Sequence, residues 1–430
     1  MTVRARRIYY SLAILLFCVV APLIIALASG WRWSGWRQGF IGTGTLVLTS
    51  SPRATIILNG KNFGPTPKRI SGLAPGIYQL ALRRAGWRSW EHIVQVNQGA
   101  SSTIGPVQLF RRTLPQTLIS PTTWDGWLVS ADQRAVAGWT ATEAGAALQL
   151  LWPTKSDPIT LPSAPSWIAV SRHNQRLAVG LSDVTNVYSL TNQVSPWTIP
   201  PGQPVFWLSS SESIFYRIEE AELIAYDLLT QSRTSLQAAQ TASGNETNIW
   251  LARKSGETTG IEQRTNTLSA NAATIATLPG EWQIIGSFPR SVFVVSASSQ
   301  TGRLLTLNRL TGRLEETSLG QITSVPPGQT ATAPLWLNSV DLLTLTGDGE
   351  PGVLFRSPVV VTSAAWIDPD DILVTLDTVG LTIRSVSTQQ GRGTLVTYPW
   401  AANTTPLVLD VANQSALIAT DGRLHRLSWR

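Results

Sequence analysis

The sequence predicts an all-β protein led by one N-terminal transmembrane helix, with a small β-sandwich preceding a longer array of short strands. Three observations carry this. Residues 8–28 are uncharged and apolar, residues 42–114 hold alternating apolar and polar runs with no helical period, and tryptophan-led strands recur through residues 115–430. Charged residues make up only 14% of the 430-residue chain, below the roughly 25% of an ordinary soluble domain. The hydrophobic share of 43% still excludes intrinsic disorder, which needs a chain poor in apolar residues. A single cysteine, Cys18, excludes disulfide scaffolds and multi-cysteine metal sites. Three histidines, His92, His173 and His425, make a histidine-rich metal centre improbable.

The helix comes first. Residues 1–7 form a short cytoplasmic tail carrying Arg4, Arg6 and Arg7, and Ile8–Ala28 follows as the transmembrane segment. At about 1.5 Å per residue this run reaches roughly 30 Å, the thickness of the bilayer hydrocarbon. Its length exceeds the 7–15 apolar residues of a signal peptide, although Ala26-Leu27-Ala28 resembles a cleavage site. Phe17 stands where a lipobox needs a small residue, so Cys18 is expected as an apolar side chain of the helix. Residues 29–41 read as a juxtamembrane linker in which Trp31, Trp33 and Trp36 alternate with Arg32 and Arg37, a pairing suited to the membrane interface. Three arginines before the span weakly favour a cytoplasmic N-terminus, which would leave the rest of the chain extracytoplasmic, at the cell membrane.

Charge divides the chain. Residues 1–114 contain 14 Arg and Lys against one acid, Glu91, whereas residues 115–430 contain 19 bases against 25 acids. Such asymmetry points to a surface partner such as a membrane or polyanion. No helix-turn-helix, finger or RNA-binding signature accompanies the basic part, so nucleic acid is not expected as a partner.

Within residues 42–114, Thr45–Ser50, Ala54–Leu58, Ile77–Arg83 and His92–Val96 alternate as strands. Asn59-Gly60 is the strongest two-residue hairpin signal, and Gly64-Pro65-Thr66-Pro67 and Pro75-Gly76 read as further turns. The expectation is an antiparallel sandwich of about 70 residues. Trp87 and Trp90 are expected to fill its core, and His92 has no partner of metal-ligand type nearby in the sequence.

The same run resembles the PEGA domain of bacterial and archaeal surface proteins. The resemblance rests on Pro52 and Ala54, Asn59-Gly60, Gly64, Thr66-Pro67, Leu73, Pro75-Gly76, Tyr78, Gly86-Trp87, Trp90 and Gly99. It covers about 60 of the 430 residues without a gap. The departure is Arg53, which stands where the family's naming tetrapeptide has glycine, with Pro52 displaced by one. The resemblance implies an envelope-associated β module without catalysis.

Beyond residue 114, strands led by Trp127, Trp167, Trp207, Trp250, Trp282, Trp336 and Trp366, and a last copy led by Leu407, are separated by 40, 40, 43, 32, 54, 30 and 41 residues. Four short strands per 40 residues is the arithmetic of a β-propeller blade. The period resembles that of WD-repeat-like bacterial propellers, though the Trp-Asp dipeptide does not recur in register. Seven or eight blades fit, with Trp250–Leu278 as the weakest unit; two β-sandwiches are the alternative. The tryptophans are expected as packing anchors between stacked sheets. The final unit is one strand short, and the stretch Val107–Ile119, chiefly Thr113–Ile119, is the expected donor that pairs with it, clasping the ring and fixing the small module beside the last blade.

Chemistry is sparse. No nucleophile-elbow, zinc-protease, phosphate-loop or dinucleotide motif is present, and no cofactor is expected. The acidic loops Asp368-Pro369-Asp370-Asp371 and Asp348-Gly349-Glu350 lack the ligand spacing of a calcium loop. Glu219, Glu220 and Glu222 read as a solvated face, and His173 and His425 as isolated. The expected function is therefore that of a non-enzymatic, membrane-anchored binding or scaffolding protein of the cell envelope. Its basic module would meet anionic lipid or wall polymer, and its propeller envelope proteins or polysaccharide. Two rivals stand beside it: a propeller-based carbohydrate-active enzyme, and a membrane-bound sensor or assembly factor. Hydrolysis of envelope polysaccharide, lost on replacing two acidic residues, would mark the first; a propeller protected from protease on intact cells would mark a cytoplasmic-facing sensor.

Overall fold

The computed structural model describes residues 3–28, 31–33, 40–191, 197–207, 212–244, 248–265, 272–287, 291–307, 314–322, 325, 334–338, 341–345, 351–368, 372–386 and 393–429. The chain divides into two compact units, one built on residues 1–114 and one on residues 115–386 and 393–428.

In the first unit, helix α1 (Val3–Ala28) contains Pro22 in its interior. Its described side chains run from Tyr10 to Ile25, and all except Ala21 are exposed. Among the described residues no helix is long and apolar enough to cross a membrane, so they do not support the expected transmembrane span. The linker differs from expectation: β1 (Trp31–Trp33) pairs antiparallel with β2 (Phe40–Gly42) as a two-stranded ribbon. The Arg32 guanidinium lies against Gly72, where a side chain would displace it.

The sandwich comprises β3 (Gly44–Ser51), β4 (Thr55–Leu58), β5 (Lys61–Pro65), β6 (Lys68–Leu73), β7 (Gly76–Arg83), β8 (Trp90–Val96) and β9 (Ser101–Gln108). One sheet has the order β6-β3-β9 and the other β5-β4-β7-β8. Alternating inward residues from both sheets, including Leu46, Leu48, Ile56, Leu58, Leu80, Leu82, Trp90 and Val96, form one core with Trp87 of the β7–β8 turn. The expected all-antiparallel arrangement is corrected at one ladder, because β9 runs parallel to β3. Only a hairpin forces antiparallel pairing, and β9 reaches β3 by crossing from β8 in the other sheet. The strands the sequence hides, β5, β6 and β9, contain Gly or Pro and occupy sheet edges, where a missing N–H does not break a central ladder. Asn59 and Gly60, with φ of 48° and 79°, make the β4–β5 turn with both residues left-handed, as a two-residue hairpin requires.

The second unit contains, among the described residues, eight antiparallel sheets. Blade 1 spans 126–161, blade 2 167–199, blade 3 206–238, blade 4 241–279, blade 5 282–321, blade 6 335–356 and blade 7 361–399, each sheet ordered as a simple meander. Blade 8 combines three strands from 404–428 with β10 (Gln116–Ser120) in the order β10, Arg423–Ser428, Ser415–Thr420, Thr404–Asp410. The last sheet is thus completed by the first strand of the unit. Successive blades share apolar clusters: Leu150 with Leu177, Val187 with Phe215, Leu223 with Leu251, Trp250 with Trp282, Phe293 with Trp336 and Leu342 with Leu373. The first strands of blades 7 and 8 lie in contact, and Val136 and Leu151 of blade 1 pack with Val408, Leu417 and Leu424 of blade 8. Among the described residues the circuit closes, and they form an eight-bladed β-propeller.

The uneven anchor spacing has two causes. Trp250 lies on the second strand of blade 4, Asn248–Ser255, opposite Ser243 of the first strand Thr241–Gly244. This corrects its placement at the head of a blade. Measured to Ser243, the intervals 43 and 32 become 36 and 39. Blade 6 has three described strands, which shortens the following interval to 30.

Candidate functional site

The remaining anchors head their blades. Trp282, Trp336 and Leu407 are buried, and Trp127, Trp167, Trp207 and Trp366 are partly buried against the inter-blade clusters. Trp167 lies over Gly180, where a Cβ would strike its indole, and its Nε1 donates to Gly202 O at 3.2 Å. Trp36 and the acidic segments 346–350 and 369–371 lie outside the described residues, as do the side chains of Arg4, Arg6, Arg7 and Trp33. Trp31 is exposed, and so is Cys18. Among the described residues no group of three or more His, Cys, Asp or Glu is placed to hold a metal ion.

Two readings of the propeller's charges are corrected. Glu219 is not on a solvated face: its carboxylate accepts from Arg217, Tyr226 and Arg233. Arg217 is fully buried between blades 2 and 3 and also donates to Pro200 O at 2.9 Å. Burial raises the Glu219 carboxyl, but the hydrogen bonds from Tyr226, Arg217 and Arg233 outweigh it and bring the group below the ordinary Glu value. His173 is not isolated: its backbone N and Nδ1 meet Glu212 Oε1 at 2.7 and 2.8 Å. His425, on the Arg423–Ser428 strand, is shifted down by burial and by Arg423. Glu212 joins blade 3 to His173 of blade 2, whereas Glu219 bonds within blade 3 and holds Arg217, whose Nη1 reaches Pro200 O and Thr185 Oγ1.

The His173–Glu212 contact sits between first and second strands, where a turn is repeated. Ser130 Oγ accepts from the amides of Arg134 and Ala135, Ser171 Oγ from Gln175 and Arg176, and Asp410 Oδ1 from Asn413 N. Gln133, Asn174 and Gln414 take positive φ in the same turns. Ser-x-x-Gln, Ser-x-x-Asn and Asp-x-x-Asn-Gln were therefore a second repeat signature available in the sequence.

The sandwich presents a different arrangement. A cleft of about 410 Å³ is lined by Thr55, Ile57, Arg83, Arg84, Ala85, Trp87, Ser89 and Arg112. Arg83 ends β7 opposite Thr55 of β4, so both sit at one end of the outer sheet face. Arg84 Nη1 donates to Arg53 O at 2.9 Å, and its guanidinium lies 5.6 Å from the Trp87 ring centre. Arg112 enters from the segment after β9. Its backbone N donates to Gly86 O at 3.0 Å and its Nε to Trp87 O at 3.3 Å. Trp87 and Trp90 are buried in the core, with Arg111 5.0 Å from the Trp87 ring and His92 stacked on Trp90 at 5.3 Å. No carboxylate lines the cleft.

The other motif residues shape this scaffold. Thr66 is buried and its Oγ1 accepts from Ala54 N at 3.0 Å. Asn59 Oδ1 accepts from Gln79 N at 2.7 Å, and Tyr78 Oη donates to Ala74 O at 2.8 Å. Ala54 and Leu73 are buried, Pro52 is half-buried, and Gly64 is half-buried within β5. Pro67, Pro75, Gly76, Gly86 and Gly99 lie at or beside the turns. Arg53 has no positive φ, so the glycine of the family pattern is not required here.

This fold and motif set define the class of the small domain. Residues 43–105 match the model of the PEGA domain, and the chain carries a PEGA domain followed by a propeller. No curated protein matches the chain. Among solved structures it is similar to BamB from Moraxella catarrhalis, at 12% identity and TM-score 0.48, over 73% of this chain and 100% of that one. The Dos1 propeller is similar at 8% identity and TM-score 0.48, over 74% and 94%. Hsv2p of Kluyveromyces lactis is similar at 10% identity and TM-score 0.38, over 60% and 92%. The ring itself rests on the strand ladders and inter-blade clusters.

Proposed function

We propose that this protein is a non-enzymatic binding scaffold of the cell envelope, held at the membrane by α1, with the PEGA domain and the propeller on the extracytoplasmic side as its binding modules. The supporting observation is the chemistry of the helix surface. Leu12, Ile14, Leu15, Leu16, Phe17, Val19, Ile24 and Ile25 are between 58% and 70% exposed, and at 100° per residue they cover every side of the helix. A helix apolar all round belongs in a core or in lipid. In the sequence the uncharged run extends from Ile8 to Ala28, enough for a bilayer. Beyond it, the PEGA domain brings a basic surface suited to anionic lipid or wall polymer, and the propeller a rigid face suited to envelope proteins or polysaccharide.

Membrane fractionation tests the anchor. The wild-type protein should stay with membranes through washes in high salt and carbonate, and the Leu15→Asp/Leu16→Arg variant should move to the soluble fraction, because two charges at mid-helix cost several kcal/mol on insertion scales. Release of the wild-type protein by these washes would overturn the anchor.

A further inference from the structure

We propose that the cleft formed by Arg83, Arg84, Arg112, Thr55 and Ser89 beside Trp87 is a binding site for a phosphate ester carried on a polyol or sugar. This deepens and rests on the binding reading of the PEGA domain, and it is independent of the anchor.

Charge is the first argument. Three guanidinium groups line one cleft with no carboxylate among the lining residues. The domain's single acid, Glu91, lies 3.9 Å from Arg83 with both side chains more than half exposed, where solvent screens the pair. Like charges gathered without a counterion repel one another, and an anion in the cleft relieves that repulsion.

Preorganisation is the second. Arg84 and Arg112 each give one side-chain hydrogen bond to a backbone carbonyl, those of Arg53 and Trp87. A guanidinium has five N–H donors in a rigid fork, so each side chain is oriented by one donor while others face the cleft. Such planar forks match phosphate oxygens in paired hydrogen bonds.

The remaining lining groups select the class of anion. Thr55 and Ser89 add neutral hydroxyl donors to the guanidiniums, a donor set that exceeds the two oxygens of a carboxylate and suits the several acceptor oxygens of a phosphate. The volume of about 410 Å³ is in the range of small-molecule sites and leaves room for the alcohol to which the phosphate is esterified. Ile57 and Ala85 provide an apolar wall for that carbon skeleton.

The test is calorimetric titration of the full-length protein, in a neutral detergent at low salt, with glycerol 3-phosphate. Binding should be weakened about fivefold or more by Arg83→Gln and by Arg84→Gln, each removing a charge-assisted contact. Lys61→Gln makes the same charge change at the far end of β4, where Lys61 pairs with Leu58, and should alter affinity less than about twofold, since a distant exposed charge is screened. Arg83 is more than half exposed and meets the screened Glu91 at 3.9 Å, so Arg83→Gln carries the test if Arg84→Gln disturbs folding. Succinate should bind more weakly than glycerol 3-phosphate. Flotation with phosphatidylglycerol-containing and pure phosphatidylcholine vesicles, competed by soluble glycerol 3-phosphate, shows whether a lipid headgroup reaches the cleft or a free polyol phosphate alone does. No binding of glycerol 3-phosphate, or succinate binding equally well, overturns the proposal. So does equal loss in Lys61→Gln and Arg83→Gln, which would leave the PEGA domain a diffuse cationic surface and the general binding reading intact.

Discussion

The PEGA domain and the propeller treat charge in opposite ways. In the propeller, cations and carboxylates pair within the fold: Arg217 and Arg233 with Glu219, Arg253 with Glu262, Lys254 with Glu281, Arg356 with Asp341, and Arg303 with Glu316. In the PEGA domain nine bases from Arg53 to Arg112 face one acid, Glu91, and three of those bases share an open cleft. Charge neutralised within the fold serves the fold. Charge gathered in excess, with one exposed and screened acid for three cleft arginines, is available to a ligand. The two regions differ also in how they close: the sandwich is wrapped around one core, whereas the propeller depends on its first strand completing its last sheet.

The sharpest way to break this contrast is at the clasp. Deleting Leu424–Arg430 removes most of the strand that pairs with both β10 and Ser415–Thr420, and with it Leu424 and Leu427, both buried. Apolar burial of two leucines alone amounts to about 4 kcal/mol, so the propeller should melt many degrees lower, or fail to fold. A calorimetric scan of the full chain that keeps its propeller transition within a degree or two would refute the clasp.

Glu219 is the next test. Glu219→Leu leaves Arg217, fully buried, with Pro200 O and Thr185 Oγ1 as hydrogen-bond partners and the Tyr226 ring 5.7 Å away, but without its carboxylate. Stranding a buried charge costs about 3–5 kcal/mol. The double variant Arg217→Met/Glu219→Leu should recover much of this loss, and urea denaturation monitored by fluorescence measures both. The same carboxyl sets a pH dependence. Its folded-state value lies below the ordinary 4.5, so its contribution is complete above the unfolded value and is lost as pH falls through the folded one. Propeller stability should therefore decline below about pH 4.5, and the Glu219→Leu/Arg217→Met variant should show a shallower decline.

The smallest effect belongs to the cleft. Arg83→Gln should change the stability of the protein by less than about 0.5 kcal/mol, as exposed surface substitutions do, while changing anion binding most. A large loss of stability would mean that the cleft arginines are structural after all, and the contrast between the two regions would disappear.

The sequence by itself determined the outline. Alternation from Thr45 to Val96, Asn59-Gly60 and the motif residues define the PEGA domain because turn chemistry and a half-buried strand are both local properties. The period near 40 and the missing strand after Leu407 likewise imply a ring that borrows a strand from Thr113–Ile119. The structure uses Gln116–Ser120, joined by the Ser428 N to Pro115 O hydrogen bond of 3.2 Å.

Tertiary structure decided the rest. A tryptophan lies on a first strand or, at Trp250, on a second, and both positions look alike in an apolar run. Glu219 and His173 appear solvated or isolated because their partners, Arg217, Arg233 and Glu212, are defined by strand register and blade stacking. The edge strands β5, β6 and β9 are hidden by glycine and proline that a central strand would reject. The cleft was half legible: the scarcity of acids in residues 42–114 is visible, but Arg83, Arg84 and Arg112 meet only because the chain leaving β9 returns past the Trp87 turn. Local physical chemistry fixes which segments become strands, and long-range packing alone fixes which charges find partners and which face an open cleft.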